Sequence, residues 1–289
     1  MDNLAFDRVD AHCHLWEIGL AKNWMTPEWP GMFQTFRPDD IAAVSQPLGV
    51  TSAIAIECGL SDGENEALRQ AAAESDYIRG YTPHVDLESA DLGGKLKMWD
   101  SDPKCVGVRM RFEGHPDQAI LRRESIVEGL KQVAGHGLVF EYLVRSQHLL
   151  DIVRLQEKVP ALKAIIEHMA KPDFAGGIDR HDWEVGMGAI ANHTNVSCKL
   201  SFSPQGERLP DLLANPRPGW PVDAMKPFVK FVIDHFGADR VMWGSDYPIA
   251  LLTSDYAGTL GTIEQILGPI DATLRRQLFQ QNAIDFYGV

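Results

Sequence analysis

Eight short apolar runs recur along the chain, each followed by a loop and then a helix-compatible stretch, and this alternation constrains the fold more than any other feature. The runs cover residues 8–15, 51–58, 78–85, 105–112, 138–144, 162–168, 196–201 and 240–246. Between and after them the pattern predicts helices over 38–49, 64–75, 91–99, 123–134, 180–192, 222–236, 254–267 and 272–287, with one more beginning at Ser146. The punctuation agrees: Pro38-Asp39-Asp40 suits a first helical turn, Asp62 and Ser146 suit caps, and Gly135 and Gly237 suit helix stops. Strands that alternate with helices run parallel and need crossovers. Eight such units in 289 residues predict a (β/α)8 TIM barrel rather than an open sheet, with one domain spanning residues 1–289.

A barrel of this kind carries its reactive groups at the C-terminal ends of the strands. Here those ends bear His12 and His14, Glu57, His84, Arg109 and Arg111, His168, Lys199 and Ser201, and Asp246, with Glu141 and Arg145 on the fifth run. Random surface polarity would not track strand ends, so the placement itself points to a site. In Val9-Asp10-Ala11-His12-Cys13-His14 strand alternation puts both histidines on one face and Cys13 on the other. Two imidazoles so placed can share a divalent metal, or they can be strand histidines satisfied by hydrogen bonds.

The segments AHCHLW (11–16), FRPDDI (36–41), CVGVRM (105–110), IIEHMAKPD (165–173), VSCKLS (196–201), VMWGSDYP (241–248) and QNAIDFYG (281–288) give the chain a resemblance to the amidohydrolase superfamily. Within its amidohydrolase-related branch it resembles the lactonases of sugar acids and pyrone dicarboxylates. HxH on the first run, EHxxKP on the sixth and GSDxP on the eighth, in that order, are the specific part. The resemblance runs from Val9 to Gly288. It implies a distorted (β/α)8 barrel, hydrolysis of a ring ester, and a central constellation of His12, His14, His168 and Asp246. The chain departs from the sugar-lactonase pattern at Met110, Phe202 and Glu57, positions that bear on the substrate more than on the reaction.

Opening a lactone needs an activated water, a stabilised oxyanion and a proton for the leaving alkoxide. Asp246 is the candidate general base, and His168 a ligand or an oxyanion partner. His12, His14, His168 and Asp246 offer three nitrogens and a carboxylate, enough for one zinc ion, while a metal-independent reaction stays open. Arg109, Lys199, Arg111 and Lys171, with Glu57 and His84, are the candidate substrate contacts, arginine being suited to a two-pronged grip on a carboxylate. The expected substrate is an anionic or polyhydroxylated lactone, as in carbohydrate catabolism. A metal-dependent decarboxylase, a lactone isomerase and a non-catalytic binding barrel are the alternatives.

Composition closes off other classes. With 27 basic against 40 acidic residues the net charge of −13 disfavours nucleic acid and anionic membranes. The N-terminus does not read as a signal peptide, and Cys13, Cys58, Cys105 and Cys198 form no CxxC pair, so reduced thiols and a cytoplasmic location are expected. A homo-oligomer stays open. The loops 17–37 and 202–221, with Trp24, Trp29 and Trp220, follow strands and are expected to cover the catalytic mouth. His115, His136, His148, His181, His193 and His235 read as surface residues, and Cys13 and Cys198 as facing the helix layer.

Overall fold

The computed structural model describes residues 6–22, 24–29, 31–174, 180–204, 214 and 218–289. All eight runs form strands: β1 (Arg8–His14), β2 (Val50–Ile56), β3 (Ile78–Thr82), β4 (Gly107–Arg111), β5 (Val139–Leu143), β6 (Ala164–Ile166), β7 (Val196–Leu200) and β8 (Val241–Trp243). Every adjacent pair is parallel, in a three-stranded sheet β1-β2-β3 and a five-stranded sheet β4 to β8. Isolated bridges Tyr81↔Cys105 and His84↔Arg109 join β3 to β4, and Cys13↔Tyr247 joins the segment after β8 to β1. The result is a (β/α)8 barrel whose ladder is thinnest at two seams.

The surrounding helices are α1 (Pro38–Ser45), α2 (Asp62–Ala73), α3 (Leu92–Asp100), α4 (Glu124–Gly135), α5 (Leu149–Lys158), α6 (Arg180–Ala191), α7 (Val222–Phe236), α8 (Tyr256–Leu267), α9 (Ala272–Arg276) and α10 (Asn282–Tyr287). Their boundaries follow local chemistry. α2 begins with a reciprocal capping box, in which Ser61 Oγ accepts from Glu64 N and the Glu64 carboxylate accepts from Ser61 N. α7 stops at Gly237. The expected single helix over 272–287 is interrupted by a π-turn over 277–281.

Strand alternation sorts side chains into two cores. Outward residues such as Cys13, Ala53, Val108, Phe140, Cys198 and Trp243 pack into the helix layer. Inward residues Val9, Ala11, Ile54, Ile56, Val139, Ile165 and Met242 fill the barrel floor, where Ala283, Phe286 and Tyr287 of α10 close it from below. Each buried aliphatic side chain here contributes on the order of 1.5–3 kcal/mol. With the floor filled by hydrocarbon, the polar inward residues are left to the upper levels.

Candidate functional site

β1 departs from plain alternation. Its pairing with β2 shifts register between Asp10 and Cys13, so Ala11 joins the inner core while the neighbouring His12 also faces inward. His12 Nε2 and His14 Nε2 lie 3.2 Å apart. Asp10 holds this shape: its Oδ1 accepts from His12 N at 3.0 Å and from Ser245 N at 2.8 Å, and its Oδ2 accepts from Tyr256 Oη at 2.9 Å. That carboxylate thereby ties β1 to the segment after β8. A Cβ at Gly244 would fall 2.6 Å from His12 Cβ, so only glycine lets the two strands approach this closely. Asp246 N then donates to His12 O at 2.8 Å, and Asp246 turns into the site at φ 56°.

β6 solves a different problem. Ile165 is inward and Ile166 outward, so a continued strand would point Glu167 inward and His168 into the helix layer. The chain instead leaves β6 through His168, Met169, Ala170 and Lys171, all left-handed, with φ of 50°, 53°, 57° and 49°. The turn brings His168 back over the barrel. Its Nδ1 lies 2.8 Å from Ser201 Oγ, its ring centroid 4.5 Å from that of His12, and its Nε2 3.8 Å from Asp246 Oδ1.

His14 Nδ1 faces the carbonyl of Ile56 at 2.9 Å, which can only accept, so the proton sits on Nδ1. The opposite Nε2 lies 3.0 Å from Asp246 Oδ1. In a neutral His14 two lone pairs would face each other there, and the contact calls for a cation. A second proton supplies one. Burial would lower the His14 pKa, but neighbouring Cys58 and Asp246 push it up to about 10. Burial acts against ionised Asp246 too, and the surrounding imidazoles and Lys171 outweigh it, holding the carboxyl below its ordinary range. His168 is driven down to about 3, chiefly by burial, and stays neutral. A metal ion is the other candidate cation. Donor atoms of His12, His168 and Asp246 lie within 4.8 Å of one another, with His14 Nε2 beside them, and this donor set fits a divalent ion.

Beneath lies an ionic level. Arg109 Nε donates to Glu57 Oε1 at 2.8 Å and Nη1 to Glu167 Oε2 at 2.8 Å. Lys199 Nζ bonds Glu141 Oε2 and lies 3.2 Å from His12 Nδ1. Glu141 Oε1 also accepts from Thr82 Oγ1 and Tyr287 Oη. Burial and the charge of Glu141 push the Glu167 pKa up, while Lys199 outweighs burial at Glu141 and brings it down.

Above the site opens a cavity of about 530 Å³, lined among others by His14, Cys58, Arg109, Arg111, Glu113, Arg145, His148, His168, Lys171 and Asp246. Trp24 and Trp29 reach it from the first long loop, and Ser203 and Pro204 from the second. Of that second loop, residues 205–213 and 215–217 lie outside the described residues, as do Asn23 and Pro30 of the first. Trp220 packs against Phe202 with the rings tilted by 53° and their centroids 5.7 Å apart, and it is not among the cavity residues.

The structure thus gathers His12, His14, His168 and Asp246 into one cluster and separates the expected substrate contacts. Arg109, Arg111 and Lys171 line the cavity. Lys199 does not: it is fully buried beside His12 and held by Glu141. Glu57 pairs with Arg109 and borders a smaller cavity behind Cys58, and His84 lines neither. His148, expected at the surface, is buried and lines the cavity, because the 3-10 turn Ser146–His148 folds it inward from the end of β5. Glu113, Gln118 and Gln147 also line the cavity, and no sequence motif marks them. For Asp10 the sequence signal is its place two residues before the HxH pair.

A family model described as Amidohydrolase matches residues 9–289. The chain is 30% identical to an L-fucono-1,5-lactonase of Burkholderia ambifaria, over 98% of this chain and 96% of that protein. It is 24% identical to a 2-pyrone-4,6-dicarboxylate hydrolase of Comamonas testosteroni, over 96% and 89%. Among solved structures, an amidohydrolase from Burkholderia multivorans with bound zinc has the same fold, at a TM-score of 0.86 and 21% identity over 98% of this chain and all of that one.

Proposed function

The chain belongs to the amidohydrolase family, and from that premise we propose that it hydrolyses a lactone, with Asp246 as the general base. One observation carries the assignment of the base. Asp246 is 1% exposed and lines the cavity, and its Oδ2 makes no hydrogen bond to any described residue. A buried carboxylate oxygen is ordinarily satisfied. This one is free to take a proton from water at the cavity floor, while Oδ1 stays fixed by His14. The relatives named as a lactonase and a pyrone hydrolase support the same class of reaction.

The attack places negative charge on the carbonyl oxygen. His168 can donate to it from Nε2 when Nδ1 accepts from Ser201, and the Ser201 hydroxyl can rotate to support either tautomer. Asp246 then returns its proton to the leaving alkoxide. Arg111 and Lys171 on the cavity wall would hold substrate oxygens, and Arg109, anchored by Glu57 and Glu167, offers a fixed positive edge to the floor. A divalent ion, zinc by the chemistry of the donors, would be held by His12, His14, His168 and Asp246, with His168 Nε2 then a ligand and no longer a donor to the oxyanion. When bound, it would polarise the carbonyl and make water more acidic.

The test is acid release from a panel of sugar-acid lactones and carboxylated muconolactones by purified protein, before and after chelation. Release from at least one lactone is expected. Failure to open any of them, with and without added zinc, would overturn the reading.

A further inference from the structure

The left-handed turn after β6 carries two cavity residues, His168 and Lys171, and its four consecutive left-handed residues are all non-glycine. Each L-residue pays a steric cost in that conformation, so such a run persists only where its surroundings impose it. Two contacts reach the middle of the turn from other elements: the Cys198 thiol on β7 takes a backbone hydrogen bond from Met169, and the second comes from the helix layer. Trp183 on α6 donates its indole Nε1 hydrogen to Met169 O at 2.7 Å. The indole is fully buried, and its ring is wedged against Phe228 and Phe231 of α7 at centroid distances of 5.1 and 5.2 Å. Its donor is therefore fixed in space by packing. Within the turn, Lys171 N closes on His168 O at 2.8 Å.

We propose that Trp183 is a positioning residue: its indole N–H clamps the left-handed turn and thereby sets His168 over Asp246 and Lys171 at the cavity wall. Trp183 touches neither the cavity nor the reacting groups. Without the N–H, Met169 O is left without that donor in a buried place, and the turn loses one of the contacts that oppose its relaxation towards ordinary backbone. The two side chains then move together. A shift of about 1 Å at reacting groups costs up to ~100-fold in rate.

Trp183→Phe keeps an aromatic ring at the position and removes the donor together with the pyrrole half of the indole. Trp99→Phe is the control, because Trp99 is similarly enclosed in α3 and its Nε1 has no hydrogen-bond partner among the described residues. In Trp183→Phe, kcat on the best lactone should fall and KM should rise, with kcat/KM down about 10–100-fold. Trp99→Phe should keep both. Ala170→Gly, which eases the left-handed conformation, should restore part of the loss when added to Trp183→Phe. This arm rests on the lactonase reading. The second arm does not. In protein carrying isotope-labelled histidine, the His168 imidazole resonances, assigned with His168→Gln, should shift in Trp183→Phe and hold in Trp99→Phe. If Trp183→Phe does not fold, Met169→Ile conserves volume but places a branched side chain in the left-handed region, and it should move the same resonances. Unmoved His168 resonances in whichever of these two variants folds would overturn the clamp, as would unchanged kcat and KM in it. Lower thermal stability with both intact would mean that Trp183 only packs.

Discussion

Two levels of polar side chains lie one above the other inside the barrel, and they are built on opposite principles. In the lower level charges answer one another: Arg109 with Glu57 and Glu167, Lys199 with Glu141, and Tyr287 and Thr82 on the remaining oxygen of Glu141. In the upper level lone pairs converge, His12 and His14 meet Asp246, and Asp246 Oδ2 accepts no hydrogen bond from any described residue, a feature that only Glu57 Oε2 shares in the lower level. Paired buried charges hold a shape, since breaking a pair leaves an uncompensated ion. Unsatisfied ones store the capacity to take a proton, a ligand or a cation. The two levels meet at His12, whose Nδ1 lies beside Lys199 and whose Nε2 lies beside His14.

The comparison predicts that substitutions in the upper level cost rate and those in the lower level cost stability. The largest effect should come from Asp246→Asn, which keeps the shape and removes the base. Turnover of the best lactone is expected to fall by ~10²–10⁴, with an unchanged circular dichroism spectrum. Wild-type turnover in the folded variant would show that another group takes the proton.

Lys199→Met is the matching blow to the lower level. It strands Glu141 in a fully buried place and should lower unfolding free energy by about 3–5 kcal/mol, read from denaturant midpoints. Lys199→Met with Glu141→Leu removes both ions and should recover most of that loss. A double variant no more stable than the single one would mean that the pair does more than neutralise itself.

The difference between the levels also decides what could be read from the sequence. The strands, the barrel and the four clustered residues were legible because each rests on a local signal: two-residue alternation, helix punctuation, or a short motif at a strand end. Pairing is not local. Lys199 and Glu141 are 58 positions apart, so nothing in VSCKLS says that its lysine is already taken. Nor does EHMAK announce a left-handed turn, because Met and Ala have no preference for one; only Glu167 and His168 both facing inward require it. His148 escaped for the same reason, its placement depending on how a three-residue turn meets the cavity.

Glu113 tests whether the cavity wall contains a patch that behaves like the lower level. Its carboxylate accepts from Arg145 at 2.8 Å and from Lys171. Burial opposes ionisation, Lys171 and Arg145 outweigh it, and the pKa lies below the ordinary 4.5. A depressed acid stabilises the fold above its unfolded pKa, and that contribution disappears as pH falls through the folded value. Glu113→Gln should therefore be less stable than wild type at neutral pH, by about 1.5–3 kcal/mol, and the gap should close in acid. A gap independent of pH would assign the loss to packing instead of charge.

Arg111 should give the smallest effect and the sharpest contrast with Arg109, two residues away on the same strand and the same face. Arg109 is locked between two carboxylates. Arg111 donates Nη2 to Cys58 O at 2.9 Å, and among the described residues its buried Nε has no hydrogen-bond partner and no carboxylate pairs with it. Since the fold provides it with no counter-ion, removing it should barely change stability. Since it lines the cavity, its removal should weaken substrate. Arg111→Met is expected to raise KM about 3–10-fold, roughly 1 kcal/mol of binding, with kcat and melting temperature nearly unchanged. Arg111→Lys separates the two ways it could act. A lysine keeps the charge and loses the planar fork, so recovery of KM would mean that charge alone matters, and no recovery would mean that the substrate presents a group gripped by two parallel N–H bonds. If Arg111→Met instead lowered stability and left KM alone, Arg111 would belong with the lower level, and the division between the two would fail at this residue.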